Sequence, residues 1–153
     1  LSVSATTRPK SAGEIDGRDY WFLSEQDFKD RVEKGLFLEH AEVFGHCYGT
    51  PTDKVDEALK SGKTVILEID VQGARQAKAV YPDALMVFIL PPSEKHLAER
   101  MSRRGRDDSD AAEERLEGAS DEIAAAWQYY KHMVINDDLE QAINECVQII
   151  ANA

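Results

Sequence analysis

Residues 64–73 read Thr64-Val65-Ile66-Leu67-Glu68-Ile69-Asp70-Val71-Gln72-Gly73, an apolar run that becomes acidic where a buried strand would end. A pattern typical of a helix follows at residues 74–80, so Asp70 lies at a predicted crossing from strand to helix. Open α/β sheets bind their ligands at such crossings, just beyond the carboxyl ends of the strands. The stretch therefore predicts an α/β fold with a ligand site close to Asp70.

Apolar runs and helical patterns alternate along the rest of the chain. Buried strands are predicted at 64–69, 85–90 and 132–135, and their alternation with helices favours a parallel sheet covered on both faces. Residues 20–50 contain denser strands and turns, which predicts an inserted, mostly antiparallel lobe. Two further strands are predicted at 20–23 and 36–44, with a turn at 45–49. Helices are predicted between the Ser24 cap and Gly35, from a Thr50 or Thr52 cap to Leu59, and at 74–80. Three more are predicted from Ser93 to about Arg104, at about 111–130, and at the C-terminus, where one apolar face lies between Leu139 and Ile150.

The composition indicates one domain with an acidic surface and predicts no particular oligomeric state. The chain has 153 residues, with 29 Asp and Glu against 18 Lys and Arg, and a formal net charge of −11. Such a surface repels a nucleic-acid backbone, which disfavours nucleic acid as a partner, whereas a small phosphorylated ligand responds mainly to nearby charges. Cys47 and Cys146 show no metal or redox spacing, so we expect reduced thiols in a cytoplasmic protein. No apolar stretch predicts a membrane span or a signal peptide.

A cluster of arginines lies near residue 103 of this otherwise acidic chain. Its members are Arg100, Arg103, Arg104 and Arg106. Guanidinium groups grip phosphate oxygens through paired hydrogen bonds and stay charged. Gly105 and the polar residues after it are compatible with a mobile lid, and Arg115 on the next predicted helix can complete a clamp. A solvated helix end, where cations are favourable, explains the cluster equally well.

Two acids and two hydroxyl side chains form a second set of candidates. Glu39 and Asp70 each follow apolar strand residues. A carboxylate there can accept hydrogen bonds from the ring N–H and the exocyclic amine of guanine, a pattern that adenine lacks. Ser4 and Thr50 can donate to the carbonyl oxygen of the same base. Taken singly, each acid is more often a strand-end or cap residue, and hydroxyls at such positions are common.

Other motifs are weaker or absent. Tyr20 and Tyr48 flank turns, where tyrosines usually pack but can also donate to a phosphate. The four histidines show no metal-ligand spacing, no predicted metal ligand stands out, and the phosphate-binding pattern GxxxxGK[ST] does not occur. The opening residues, Leu1 to Ser4, are typical of the inside of a strand, so we expect an upstream segment that this sequence does not include.

Together these segments resemble the guanylate kinase family, the nucleoside monophosphate kinases that phosphorylate GMP with ATP. Seven blocks match in family order from the first residue to the last, which makes the resemblance highly specific. The blocks are Ser2–Arg8, Gly13–Tyr20, Phe37–Gly45, Tyr48–Thr50, Leu67–Gly73, Phe88–Ser93 and Val134–Asp138.

The resemblance implies a role for each matching residue. The implied GMP contacts are Ser4 and Thr50 at the guanine carbonyl, Glu39 and Asp70 at the guanine N–H groups, and Arg8, Tyr20 and Tyr48 at the phosphate. The implied ATP and phosphoryl-transfer contacts are the lid and clamp arginines Arg100, Arg104 and Arg115, with Asn136 near the ATP adenine. The resemblance also implies Mg²⁺ as cofactor, with ATP as co-substrate, and no metal ligand among these 153 residues.

The resemblance further implies a P-loop-type α/β core with an inserted GMP-binding lobe and a lid. The core is expected at 1–8 and 63–153, the lid at about 104–114 and the lobe at 9–62. The first strand, P-loop and first helix of the family have no counterpart here, so we expect a polypeptide of these residues alone to be inactive. Ser11 stands where the family usually has a second phosphate-binding arginine. The neighbouring Lys10 supplies a positive charge but not the paired N–H donors of a guanidinium group, which predicts weaker binding of the phosphate.

A second interpretation belongs to another class of protein. A guanylate-kinase-like domain that has lost catalysis would bind phosphorylated protein segments through the same lobe, because a phosphoserine presents the same oxygens as a nucleotide phosphate. The complete base-reading set and the three clamp arginines favour the enzyme, since a scaffold has no need to recognise guanine. Selective binding of GMP over AMP would distinguish the two.

Overall fold

The structure, a computed structural model, describes residues 1–104, 118–119 and 123–153. The chain divides into two compact units, Leu1–Ala84 and Leu85–Ala153. The predicted lid at about 104–114 lies, except for its first residue, outside the described residues, as does part of the predicted helix at 111–130. The predicted division into a core and a lobe at 9–62 stays a prediction.

A four-stranded sheet organises the unit Leu1–Ala84. Its strands are β1 (Ala5–Thr6), β2 (Trp21–Phe22), β3 (Phe37–Val43) and β4 (His46–Pro51), in the spatial order β2-β1-β4-β3. β1 pairs parallel with β2, whereas β1 with β4 and β3 with β4 pair antiparallel. The predicted antiparallel character of this region and the strands at 20–23 and 36–44 are therefore confirmed.

The reversal between β3 and β4 corrects the predicted turn at 45–49. Phe44 and Gly45 have φ of 50° and 72°, so the chain turns within these two residues, and positive φ at both central positions is the geometry of a tight hairpin. Residues 46–51 continue as strand β4. The prediction was wrong because the reversal depends on Phe44, a residue type that rarely adopts positive φ.

Three helices complete this unit: α1 (Glu25–Glu33), α2 (Thr52–Lys60) and α3 (Val71–Val80). The predicted cap of α1 is confirmed, because Ser24 Oγ accepts a hydrogen bond of 3.1 Å from the Asp27 amide, and Gly35 follows the helix with φ of 63°. The predicted threonine caps of α2 are wrong. Pro51 holds the cap position without a side-chain bond, since Thr50 is part of β4 and Thr52 is the first helical residue.

Residues 64–69 do not form the predicted buried strand. In the described part of the chain a single backbone hydrogen bond, from Ser2 N to Ile66 O at 2.9 Å, joins this segment to another. Val65, Leu67 and Ile69 pack against the buried cluster formed by Leu38, Val55 and Ala77. The alternate side chains face away, and Ile66 is 52% exposed. The segment is extended and buried on one face only, so the prediction of a strand buried on both faces is wrong.

The unit Leu85–Ala153 contains a parallel pair of strands, β5 (Val87–Leu90) and β6 (His132–Ile135), in register from Val87 with His132 to Leu90 with Ile135. The parallel direction predicted for these strands is confirmed. The complete burial predicted for them is wrong in the described residues, because Ile89 and Ile135 are 47% and 58% exposed. Helix α4 (Glu94–Arg104) begins after Ser93, whose Oγ accepts from the His96 amide at 3.3 Å, as predicted. Residues 118–119 and 123–129 are helical, and the C-terminal helix spans Leu139–Ala151.

Candidate nucleotide site

Three predicted base-reading residues lie in a row across the sheet. Glu39 on β3 and Thr50 on β4 are direct partners, and directly opposed residues of an antiparallel pair present their side chains on the same face. Ala5 on β1 pairs with Gly49 on β4, so Ser4, the residue before β1, lies beside Thr50. The register therefore aligns one carboxylate and two hydroxyl-bearing residues on one face, from segments that are distant in sequence.

The fourth base-reading residue, Asp70, meets this row at the first turn of α3. Asp70 is the N-cap of the helix, and its Oδ1 accepts a hydrogen bond of 2.8 Å from the Gly73 amide. A Cβ atom at Gly73 would overlap Glu39 Oε2 and would lie 3.1 Å from Asp70 Oδ1. The two carboxylates thus converge on the Cα of Gly73, although 31 residues separate them in the sequence.

The hydroxyl of Thr50 makes no well-formed hydrogen bond among the described residues. Thr50 is fully buried and Glu39 is 3% exposed. In the described residues, Thr50 Oγ1 is one of two buried side-chain oxygens without a hydrogen-bond partner, the other being Ser2 Oγ. Because buried polar groups are nearly always paired in native proteins, an unpaired hydroxyl beside a carboxylate indicates a site prepared for a polar ligand.

The electrostatics of Glu39 also favour a polar ligand at this position. Burial raises the pKa of the Glu39 carboxyl group, and the nearby Asp70 carboxylate raises it further. Thr50 lowers the pKa of Glu39 through its hydroxyl and its backbone, although the hydroxyl falls short of a well-formed hydrogen bond. Glu39 is buried and Asp70 is partly exposed, and a ligand that donates to both carboxylates would stabilise the pair. The ring N–H and the exocyclic amine of guanine supply two such donors.

The three predicted phosphate ligands also lie together. The Arg8 guanidinium carbon is 5.4 Å from the centroid of the Tyr20 ring, and the Tyr20 and Tyr48 rings meet edge to face with centroids 6.1 Å apart. Burial raises the pKa of Tyr20, and the neighbouring Tyr48 adds to this effect. Tyr20 therefore keeps its phenolic proton at neutral pH and can donate to an anion beside Arg8, and the Tyr48 hydroxyl is a second possible donor next to it.

Arg8 is held in place by the loop that follows it. Its Nη2 donates to Glu14 Oε1 at 2.7 Å, and its Nη1 donates to Ser11 Oγ at 2.9 Å and to Pro9 O at 2.8 Å. The hydrogen bond with Glu14 raises the pKa of Arg8 against the opposing effect of burial. Glu14 also accepts from the Ser11 amide at 2.7 Å. Glu14 has no role assigned from the sequence, although it lies in the block Gly13–Tyr20, which was the available signal.

The described ATP candidates lie in the unit Leu85–Ala153, where one contact joins two of them. Arg100 Nη2 donates to the backbone carbonyl oxygen of Asn136 at 2.6 Å, and the backbone N–H of Asn136 donates to Leu90 O at 2.8 Å. Arg104 is the last residue of α4. Arg115 lies outside the described residues. The structure therefore brings Arg100 to the end of the β5–β6 pair, next to Asn136.

Comparison with known proteins decides the family. A family model described as guanylate kinase matches residues 1–153. The chain belongs to the guanylate kinase family. Two proteins named guanylate kinase, from Carboxydothermus hydrogenoformans and Synechocystis sp., are each 47% identical to it. The first match covers 97% of this chain and 72% of the relative, and the second covers 98% and 78%.

A solved structure supports the same assignment. The crystal structure of guanylate kinase from Anaplasma phagocytophilum matches with a TM-score of 0.84 at 32% identity, over 99% of this chain and 73% of that chain. The α/β fold class predicted from the sequence is thereby confirmed, together with the resemblance to the guanylate kinase family.

Three further observations concern the described residues alone. Across 1–104, 118–119 and 123–153, no group of three or more His, Cys, Asp or Glu side chains could hold a metal ion. Cys47 and Cys146 are free thiols, both partly buried. No helix within these same ranges is both long and apolar enough to cross a bilayer.

Proposed function

We propose that this guanylate kinase family member catalyses the transfer of the γ-phosphoryl group of ATP to GMP, giving ADP and GDP. The observation that carries the proposal is the convergence of Glu39 and Asp70 at Gly73, in line with Thr50. Guanine presents a ring N–H, an exocyclic amine and a carbonyl oxygen on one edge. Two carboxylates that accept and a hydroxyl that donates complement this edge, whereas adenine has no ring N–H at that position.

The phosphate of GMP binds Arg8, Tyr20 and Tyr48 in this proposal. The Arg8 guanidinium is oriented in advance by its bonds to Glu14 and Ser11, so little side-chain freedom is lost when the phosphate arrives. Arg8 contributes charge and the two tyrosines contribute O–H donors. Ser11 occupies the position where a second arginine is usual, so fewer positive charges bind the phosphate.

Phosphoryl transfer requires alignment and charge neutralisation more than covalent chemistry by the protein. Arg100, Arg104 and Arg115 are proposed to gather the ATP phosphates and the transferring group, with Asn136 near the adenine. Mg²⁺ is proposed to enter with ATP as the MgATP co-substrate, where it would neutralise charge on the phosphates during transfer. The cytoplasmic location predicted from the two unpaired cysteines belongs to the same proposal.

The alternative, an inactive domain that binds phosphorylated protein segments, is not favoured. Relatives from several bacteria carry the name guanylate kinase, and this chain retains all four base-reading residues. A protein that recognises only a phosphorylated side chain gains nothing from a buried carboxylate at Glu39 with a second carboxylate beside it.

Calorimetry with GMP, IMP and AMP tests the proposal. IMP keeps the ring N–H and carbonyl but lacks the exocyclic amine, so we expect GMP to bind most tightly, IMP less tightly and AMP least. Each lost donor removes one hydrogen bond to a carboxylate, which costs on the order of 1–3 kcal/mol, or about tenfold or more in affinity. A coupled assay of ADP release by the native gene product, with MgATP and each nucleotide, measures the reaction itself. Equal affinity for all three nucleotides, or binding of a phosphoserine peptide in preference to GMP, would refute the assignment.

A further inference from the structure

We propose that Gln76 is a positioning residue for guanine recognition, which holds Glu39 at the correct distance and angle from Asp70. The inference rests on the proposed function, because it concerns how the two base-reading carboxylates are brought to the same base. Gln76 belongs to none of the seven blocks that carry the family resemblance, and it has no predicted contact with a substrate.

The first step is the position of β3 at the edge of the four-stranded sheet, in the order β2-β1-β4-β3. An edge strand presents backbone N–H and C=O groups that no neighbouring strand satisfies. At His40 the side-chain amide of Gln76 satisfies both groups. The His40 amide donates to Gln76 Oε1 at 3.2 Å, and Gln76 Nε2 donates to the His40 carbonyl oxygen at 2.7 Å. The amide therefore takes the place of a fifth strand at this one residue.

The second step is that this contact lies next to Glu39 and on the helix that Asp70 caps. His40 directly follows Glu39, and Gln76 lies in α3, whose first turn is fixed by hydrogen bonds from Gly73 N to Asp70 Oδ1 and from Ala74 N to Asp70 O. The amide thus ties the strand that carries one base-reading carboxylate to the helix that is capped by the other. Close contact of both carboxylates with Gly73 leaves little slack between the strand and the helix.

The third step separates positioning from simple stability. Leu38 on β3 and Ala77 on α3 belong to the same buried apolar cluster, so the strand and helix remain packed together without Gln76. The Gln76 amide adds a constraint on orientation. Its two hydrogen bonds run in opposite directions, so together they limit both the rotation and the sliding of β3 along α3. A loss of Gln76 should therefore loosen the carboxylate pair before it unfolds the unit.

The decisive readout is the ratio of GMP affinity to IMP affinity. The two nucleotides differ only by the exocyclic amine, so the ratio reports whether both carboxylates still reach the base, whereas a change in stability alone leaves the ratio unaltered. For Gln76→Ala we expect the ratio to fall by about fivefold, the effect of misaligning one hydrogen bond of ordinary strength. Gln76→Glu keeps the size of the side chain but turns an oxygen toward the His40 carbonyl, so an equal or larger fall is expected.

A matched control is Gln26→Ala. Gln26 is an exposed amide on α1 that donates to Asp30 Oδ1 at 2.7 Å, so this variant removes a comparable surface hydrogen bond in the same unit. We expect it to leave the ratio unchanged. Amide hydrogen exchange provides an independent measure, since the His40 N–H loses its acceptor in Gln76→Ala and should exchange faster there than in the wild type.

The outcomes distinguish this inference from the proposed function. If the wild-type protein does not prefer GMP to AMP, the proposed function itself fails. If the wild type prefers GMP but both Gln76 variants keep the wild-type ratio of GMP to IMP affinity, or Gln76→Ala keeps the exchange rate of the His40 amide, the positioning role is overturned and the proposed function stands. A lower melting temperature with an unchanged ratio would likewise assign Gln76 to stability alone.

Discussion

Replacing Gly73 by alanine should weaken GMP binding while leaving the fold intact. A Cβ at this position would overlap Glu39 Oε2, and it would lie 3.0 Å from Glu39 Cδ and 3.1 Å from Asp70 Oδ1. Glu39 is only 3% exposed, so its carboxylate has little free space into which it can move. The added methyl group therefore pushes the carboxylate out of line with the base.

The size of the effect follows from two opposing contributions. In a helix, alanine is more favourable than glycine by about 1 kcal/mol, and this gain offsets part of the cost of moving Glu39, so the melting temperature should change little. A hydrogen bond to a charged group contributes roughly 1.5–3 kcal/mol, and loss of one between guanine and Glu39 lowers the affinity for GMP by about 10- to 100-fold.

Calorimetry on a double-mutant cycle measures this coupling directly. Because Gly73→Ala acts through Glu39, it should have almost no further effect on GMP affinity in a Glu39→Ala background. Ala79→Gly, an exposed change on the same helix, controls for altered helix stability and should leave GMP affinity at the wild-type level. Unchanged GMP binding in Gly73→Ala, or an equal loss with and without Glu39, would refute the convergence of the two carboxylates at this glycine.

Three other predictions follow from the same geometry. Because burial raises the pKa of Glu39 above its ordinary value of 4.5, the folded protein holds a proton that the unfolded chain releases. The free energy of unfolding without nucleotide should therefore decline as the pH rises from 4.5 through the raised pKa, while GMP affinity increases over the same pH range. Thermal unfolding and calorimetry at a series of pH values check this. An identical pH profile in Glu39→Gln would rule out Glu39 as the titrating group. Arg8→Ala should weaken GMP by roughly 1.5–3 kcal/mol and guanosine much less, because it removes a charge-assisted phosphate contact; equal losses in a calorimetric comparison would place the phosphate elsewhere. Thr50→Val should keep or raise the melting temperature, because it removes a buried hydroxyl that has no partner, yet lower GMP affinity by about 1 kcal/mol; unaltered GMP affinity would show that this hydroxyl does not contact the base.

Much of the local structure could be predicted from sequence because its causes are local. Ser24 and Gly35 mark the two ends of α1 through a cap hydrogen bond and a positive φ, and both signals lie within one turn of the helix. The apolar runs that became β5 and β6 were predicted as strands of a parallel sheet, and they pair in that sense. The ordered blocks that resemble guanylate kinases led to the correct family.

Predictions failed where the outcome depended on a partner distant in sequence. The apolar run at 64–69 has the composition of a strand, but a strand exists only when neighbours satisfy its backbone groups, and one hydrogen bond from Ser2 does not make a ladder. The prediction of the turn at Phe44 failed for a different, local reason, because residue type does not indicate the positive φ that Phe44 adopts.

The sequence by itself determined which residue types are available at the candidate nucleotide site: acids at 39 and 70, hydroxyls at 4 and 50, an arginine at 8 and tyrosines at 20 and 48. Only the tertiary structure decided that these side chains meet. The antiparallel register sets Glu39 opposite Thr50, and the first turn of α3 brings Asp70 to the same point because Gly73 has no side chain to keep the carboxylates apart. Residue identity is local information, whereas the register of a sheet and the position of a helix on it arise from packing across the whole unit. The types of side chain could therefore be predicted from the sequence, but their arrangement in space could not.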